Sequence, residues 1–487
     1  MRMLGHGQGD ANVLVRYSES YKRAVTLLLM AAYTFNSMDR TIISIIGQSM
    51  KVDLGLSDTQ LGLLGGTAFA MLYAFGGIPI ARLAERRSRV DILTAAMLLW
   101  SGLTALCGAA RTFAQLLLIR AAVGVAEAGC SPPAHSLISD YFEPSRRSSA
   151  LSVYSVGISL GYVAAAVGGG YVAQHLGWRA ACAMVGLPGI VVAVLIKAIV
   201  REPPRGQSEP HRAGGDDSGA SALAPAPFSL RAEWGELRAV GKSLLLDWPV
   251  LNMVLGVTIG GFAAYGFYAF IPPYFNRAFD LDYATIGVIA GLSGGVAVGI
   301  GIFAGGFMAD FLAKRDARWY ALVPAIGGIA AIPFYLAAVL QSDWRMATGL
   351  LSIAGLCQYA SLGPTFGVVQ NVVDRRRRAT ATAVLYICLN VIALGGGPLF
   401  TGWMIDRFAG AQFHAFAASC PGGAALATAT DALKSVCASA LTQATRRGLL
   451  VTILFFAWAC THYFLAAAGI GGALRAAALR NAAVADA

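Results

Sequence analysis

Charge is scarce in this chain. Of its 487 residues only 13% are Asp, Glu, Lys or Arg, while 56% are hydrophobic, and a soluble protein normally carries about twice that share of charge. The motifs of an enzyme are missing too. No phosphate-cradling glycine loop, zinc-ligand spacing or nucleophile elbow occurs in the sequence, so no catalysis, no ATP hydrolysis and no cofactor or metal is expected. A cleavable signal peptide is not expected either, because MRMLGHGQGDANVLVRYSES (1–20) is polar and the first apolar run is too long for an h-region.

What the chain has instead is a succession of apolar runs about twenty residues long, the pattern of a polytopic helical membrane protein. Twelve spans are predicted, at 24–50, 59–81, 90–110, 112–138, 148–175, 179–200, 248–276, 284–311, 318–340, 345–372, 379–405 and 448–470. The basic clusters ERRSR (85–89) and RRRR (375–378) then fall on one side of the membrane, which places both termini in the cytoplasm. The net charge of +11 is thereby assigned to loops, with no need of nucleic acid. Arginine far outnumbers lysine, a bias of GC-rich bacterial genomes that favours a multi-pass protein of the inner membrane.

The spans divide into two sixes. The predicted layout is a cytoplasmic N-terminal segment (1–23), a first bundle (24–200), a cytoplasmic linker (201–247), a second bundle (248–470) and a cytoplasmic tail (471–487). The segment 201–229 is rich in Pro, Gly and Ser and belongs in water. LRAEWGELRAVGKSLLL (230–246) has the mixed spacing of a short helix on the membrane surface, although a plain linker fits nearly as well. The halves also repeat: ARLAERRSR (81–89) has a counterpart in GFMADFLAKR (306–315), and GGG (168–170) recurs at 395–397. Parallel six-helix repeats about an axis along the membrane normal describe the major facilitator architecture, an all-α membrane fold of two bundles related by a pseudo-two-fold axis.

The loop motif itself resembles the major facilitator signature, with Ala81, Glu85 and Ser88 replacing the usual glycine, aspartate and second glycine, and with Gly306 and Asp310 kept. RAAVGVAEAGCSPPAHSLISDYF (120–142) resembles the fourth helix of the spinster family, with its arginine, a glycine four residues on and a glutamate–alanine step; REPPRG (201–206) is similar to that family's linker entrance. The resemblance implies a proton-coupled secondary transporter of amphipathic lipids, lysophospholipid-like or sphingoid-phosphate-like; a monomer is expected. It implies coupling through the acid of the first helix and the Arg and Glu of the fourth. The nearest alternative is proton-coupled transport of a small organic anion or drug; a channel or receptor is disfavoured by the repeat.

Four intramembrane charges carry the chemistry: Asp39, Arg40, Arg120 and Glu127. Such residues face a cavity or one another. Adjacent helix residues point about 100° apart, so Arg120 at comparable depth is the expected partner of Asp39. Glu127 lies seven residues, about 10.5 Å, deeper on the face of Arg120, and is expected nearer the cytoplasmic part of the path. Asp39, Glu127 and Arg120 are the candidates for proton coupling, with static ion pairing as the plainer reading. Arg40 has two open readings, a cation offered to an anionic substrate or an anchor for another acid. Tyr265, Tyr268, Gln358 and Asn390 are further candidates for substrate contact, together with Arg40, Arg120 and Glu127. His135 is expected to be a satisfied hydrogen-bonder. The motif residues Glu85, Arg86, Arg89, Asp310, Lys314 and Arg315 are read as a conformational latch or as ordinary positive-inside charge. Of the eight cysteines, Cys420 and Cys437 share an outer loop and are expected to pair in an oxidising compartment.

Overall fold

The computed structural model describes residues 17–205, 230–373 and 377–485, and no strand occurs among them. Twelve helices cross between two faces. The first half holds α1 (Glu19–Leu54), α2 (58–86), α3 (Arg89–Cys107), α4 (Phe113–Tyr141), α5 (144–176) and α6 (178–199). The second half holds α7 (Trp248–Phe279), α8 (Tyr283–Ala313), α9 (Trp319–Leu340), α10 (344–371), α11 (378–412) and α12 (Asp431–Ala467). With an even number of crossings, the described ends at Tyr17 and Ala485 lie on one face, called here the terminal face.

Helix ends follow local chemistry. Ser18, Ser57, Ser88, Thr112, Asp247, Asp282 and Thr430 each accept a backbone N–H in the first turn of the helix they begin. Between α5 and α6 the chain turns at Gly177, where φ is +83°, a conformation that suits glycine. These caps place several ends away from the expected ones. α1 begins at Glu19 rather than 24, because Ser18 caps a polar first turn. The cap at Thr430 starts α12 well before 448, so Cys437 stands on a helix and not in a loop. Leu230–Leu246 is helical, and its Val240 and Leu244 are buried in a cluster with Val250, Val369 and Leu385. It therefore docks on the second half. The expected tail also forms a helix, Ile470–Ala485.

Close crossings bind the halves. A side chain at Gly62 would stand 2.2 Å from the carbonyl oxygen of Pro398, and one at Gly66 2.5 Å from that of Leu394. Gly287 and Gly170 meet the backbones of Ala166 and Tyr283 in the same way. α2 thus crosses α11, and α5 crosses α8, backbone on backbone. These contacts all lie toward the face opposite the termini.

Candidate functional site

Asn36, Asp39 and Arg40 share one stripe of α1, at spacings of three and four residues. All three turn toward α4. Arg120 Nη1 donates to Asp39 Oδ2 at 3.0 Å, and Thr104 of α3 donates to Asp39 Oδ1 at 2.6 Å. Arg40 Nε donates to Glu127 Oε2 at 2.8 Å, and Asn36 Nδ2 donates to the same oxygen at 2.9 Å. The Asp39 and Glu127 carboxyls are also in direct contact. Asp39, Arg120 and Glu127 are 1%, 1% and 0% exposed, whereas the Arg40 side chain keeps 30%. Two guanidinium groups and two carboxyl groups thus make one cluster.

This arrangement alters one expectation. Glu127 is not set apart from the Asp39–Arg120 pair. Helical side chains lean toward their own N-terminus, so Arg40 reaches down the bundle to Glu127 while Arg120 reaches the other way to Asp39. Of the two readings of Arg40, the contact with an acid is present, and its exposure leaves the other open. Gly124 makes the approach of α2 possible, since a Cβ there would lie 2.5 Å from the Phe69 carbonyl oxygen. That approach stacks the Arg40 guanidinium over Tyr73 and Phe69, 4.5 and 4.9 Å from their ring centres.

Across from Arg40 stand two tyrosines of the other half, Tyr265 and Tyr386, both within its electrostatic range and 41% and 52% exposed. These tyrosines face the exposed edge of Arg40 from the second half. The other candidates lie elsewhere. Tyr268 is 3.3 Å from the Tyr335 hydroxyl, in an aromatic cluster of the second half. Asn390 turns its amide back to the Tyr386 carbonyl on its own helix. Gln358 is buried, and its Oε1 has no hydrogen-bond partner. His135 packs edge-on against Tyr154. Asn36, Phe69, Tyr73, Thr104 and Tyr386 carry no sequence signal of their own; only their contact with charged residues marks them.

Among the described residues of the terminal face, the contacts of the motif residues stay within one half. Arg89 is buried and bonded to Asp140, to Glu202 at 2.6 Å and to the Pro203 carbonyl at 2.8 Å, all within the first half and its linker entrance. Asp310 accepts from Tyr320 within the second half at 3.2 Å. Arg86, Lys314 and Arg315 are exposed, and the Glu85 side chain lies outside the described residues.

Ionic contact between the halves is found instead on the opposite face. Asp58, fully buried, receives Lys51 at 2.5 Å and Arg277 of α7 at 2.5 Å. Arg277 also donates to Gln48 at 2.9 Å and Thr445 at 2.8 Å. The disulfide between Cys420 and Cys437, with Cα atoms 5.8 Å apart, anchors a Pro-Gly-Gly turn above Lys51. A Cβ on Gly423 would sit 3.2 Å from the Lys51 ammonium. Sequence patterning missed this lock because Asp58 looks like an ordinary helix-start acid and Arg277 like an interfacial charge.

The family model of the Major Facilitator Superfamily matches residues 29–397. A solved structure of a bacterial homologue of the human lysosomal transporter spinster, inward-facing and unoccupied, superposes with a TM-score of 0.81 at 33% identity, covering 93% of this chain and 98% of that one. An MFS-type efflux pump of Mycolicibacterium smegmatis is 31% identical over 77% of this chain and 82% of its own length. The hexuronate transporter of Bacillus subtilis is 25% identical over 79% of this chain and 88% of its own.

Proposed function

This chain belongs to the major facilitator superfamily, as a relative of the bacterial spinster homologue, and from that premise we propose that it is a proton-coupled transporter of an amphipathic anion. A lysophospholipid or a sphingoid phosphate is the substrate class best matched. The observation that carries the reading is the buried cluster of Asp39, Arg40, Arg120 and Glu127, with one edge, Arg40, exposed and faced by Tyr265 and Tyr386 of the other half.

The chemistry follows from competition for guanidinium groups. Arginine's planar fork suits carboxylate and phosphate. An anion that draws Arg40 toward Tyr265 and Tyr386 weakens its hold on Glu127, and two carboxyls in contact without their cations accommodate a proton between them. Movement of Arg120 would free Asp39 in the same manner. Asp39 and Glu127 are the proton carriers in this reading, Arg40 and Arg120 the substrate-sensing cations, and Tyr73, Tyr265 and Tyr386 the wall of a cavity between the halves. Tyr268, Gln358 and Asn390 play at most an indirect part in binding, since Tyr268 pairs with Tyr335, Gln358 is buried and Asn390 bonds back to its own helix.

Basic clusters on the terminal face support a cytoplasmic location for both termini in a bacterial inner membrane. With the opposite face locked by Asp58 and Arg277, the cavity then opens to the cytoplasm. Alternating access proceeds by rocking of bundles 24–200 and 248–470 about the α2–α11 and α5–α8 crossings.

A second reading, transport of a small hydroxy acid, is favoured by one observation. The Arg40 site is ringed by tyrosine hydroxyls, and a relative is a hexuronate transporter. Uptake into proteoliposomes under an imposed pH gradient separates the two, with lysophosphatidylglycerol and galacturonate as probes. The lipid reading expects gradient-dependent flux of the first. Flux of galacturonate alone contradicts it.

A further inference from the structure

The two halves carry the same helix break with different chemistry. In α4 the segment Phe113–Glu127 runs fifteen residues, ends, and resumes at Ser131. In α10 the segment Trp344–Gln358 also runs fifteen residues, ends, and resumes as an α-helix at Leu362. One spacing, 231 residues, relates Phe113 to Trp344, Gly124 to Gly355, Glu127 to Gln358 and Ser131 to Leu362. The packing repeats as well. Gly124 lets α2 close on α4, and Gly355 lets α8 close on α10, with the Ser293 carbonyl oxygen 3.1 Å from a built Cβ.

This register shows what the second half has lost. Leu351 takes the place of Arg120, and Gln358 that of Glu127. Asn36 touches Glu127, and a Cβ built on Gly260 would lie 3.4 Å from Gln358 Nε2. Equating those two puts Ala263 and Ala264 where Asp39 and Arg40 stand. The buried polar residues of the second half are Asn, Gln, Ser and Thr, with no acid among the described ones. Gln358 keeps the shape of Glu127, and even its lone unpaired oxygen, without the charge.

We infer that one transport cycle carries one proton, held by the Asp39–Glu127 pair alone, and that a singly charged anion therefore crosses by electroneutral symport. The inference rests on the proton-coupled reading above. Two carboxylates and two guanidinium groups sum to zero, so the empty cluster crosses uncharged. A single proton makes the cluster +1, and a monoanion on Arg40 returns it to zero. A second proton would leave an uncompensated buried charge, which is strongly unfavourable. Anion and proton load together because the anion takes Arg40 from Glu127. The other titratable groups facing the quartet among the described residues are the thiols of Cys107 on α3, Cys130 on α4 and Cys182 on α6, and the phenols of Tyr33, Tyr73, Tyr265 on α7 and Tyr386 on α11. Those groups are neutral in their ordinary state at physiological pH. Gln358 adds none.

The test uses the full chain in proteoliposomes with lysophosphatidylglycerol and galacturonate, each bearing one negative charge. The pH gradient and the membrane potential are set independently with potassium and valinomycin. The expected result is accumulation approaching tenfold per pH unit and no response to potential. If accumulation also rises tenfold for each increment of about 59 mV, interior negative, a further charge moves and the one-proton inference is overturned while coupling stands. If a probe accumulates without regard to the pH gradient, the coupling reading itself fails.

Discussion

Asp406 of α11 caps a helix in the other half of the protein: its carboxylate accepts the Thr59 backbone N–H at 2.8 Å and the Thr59 hydroxyl at 2.5 Å. The same carboxylate takes the Asp58 N–H at 3.0 Å. A helix start carries unpaired N–H groups and a partial positive charge, and here the second half supplies the anion. Whenever the halves separate on this face, α2 keeps its Ser57 cap but loses the Asp406 carboxylate on Asp58 and Thr59, and Asp58 loses Arg277.

The first prediction concerns that lock. Asp58→Ala leaves Lys51 and Arg277 without their shared anion, and breaking a buried pair in this way costs roughly 3–5 kcal/mol. The closed opposite face should lose that stabilisation. Spin labels at Arg111 and Ser342, both exposed on loops of that face, should report a longer distance population in Asp58→Ala than in the wild type. Identical distributions would show that the glycine crossings alone hold the gate.

A second prediction concerns the disulfide. Cys420→Ser with Cys437→Ser removes the staple of the Pro421–Gly423 turn over Lys51. Closing a loop with a sequence separation of 17 is worth about 3 kcal/mol in the chain-entropy model. The double variant should unfold at lower temperature by scanning fluorimetry, and so should the wild type after reduction. An unchanged melting curve would mean the turn is held by packing alone.

Third, Arg89→Ala should destabilise the first half. It leaves Asp140 and Glu202 without their buried cation, again a loss on the order of 3–5 kcal/mol. Opening between the halves should be little affected, because none of those partners belongs to the second half. Reduced thermal stability with a wild-type distance distribution between Arg111 and Ser342 is the expected pair of results. A changed distribution at unchanged stability would restore the latch reading of this motif.

How much of this was legible in the sequence depended on the kind of signal. Twelve apolar runs and a repeated loop motif fixed the class, because membrane burial leaves few solutions for a backbone. Asp39 and Arg120 were visible because charge inside a span is rare. Their partners were not. Asn36, Thr104 and Tyr73 look like unremarkable span residues, and only the three-dimensional crossing of α1, α2, α3 and α4 gathers them. The lock was hidden for the opposite reason. Asp58, Arg277 and Asp406 sit near helix ends, where charge is ordinary, and their pairing joins positions hundreds of residues apart. Helix ends shifted where caps such as Ser18 and Thr430 outweighed hydropathy.

A fourth prediction addresses the cations. Arg120→Ala removes a donor to Asp39 and leaves it the hydrogen bond from Thr104, so transport of lysophosphatidylglycerol should fall at least tenfold at matched protein level. Arg40→Lys keeps a charge but loses the fork that binds Glu127 while stacked on Tyr73, so its apparent affinity for the anion should weaken. Wild-type transport by Arg120→Ala would remove that residue from the mechanism.

The central claim is that Asp39, in contact with Glu127, carries the transported proton. Asp39→Asn keeps the shape of the protonated acid and its place beside Thr104 and Arg120, but holds no exchangeable charge. The decisive measurement is accumulation of lysophosphatidylglycerol and galacturonate by Asp39→Asn proteoliposomes under an imposed pH gradient, beside wild type at equal protein and verified fold. The account predicts that gradient-driven accumulation is abolished while equilibration without a gradient persists. Accumulation equal to wild type would contradict it and leave the Asp39–Arg120 pair a structural tie between α1 and α4.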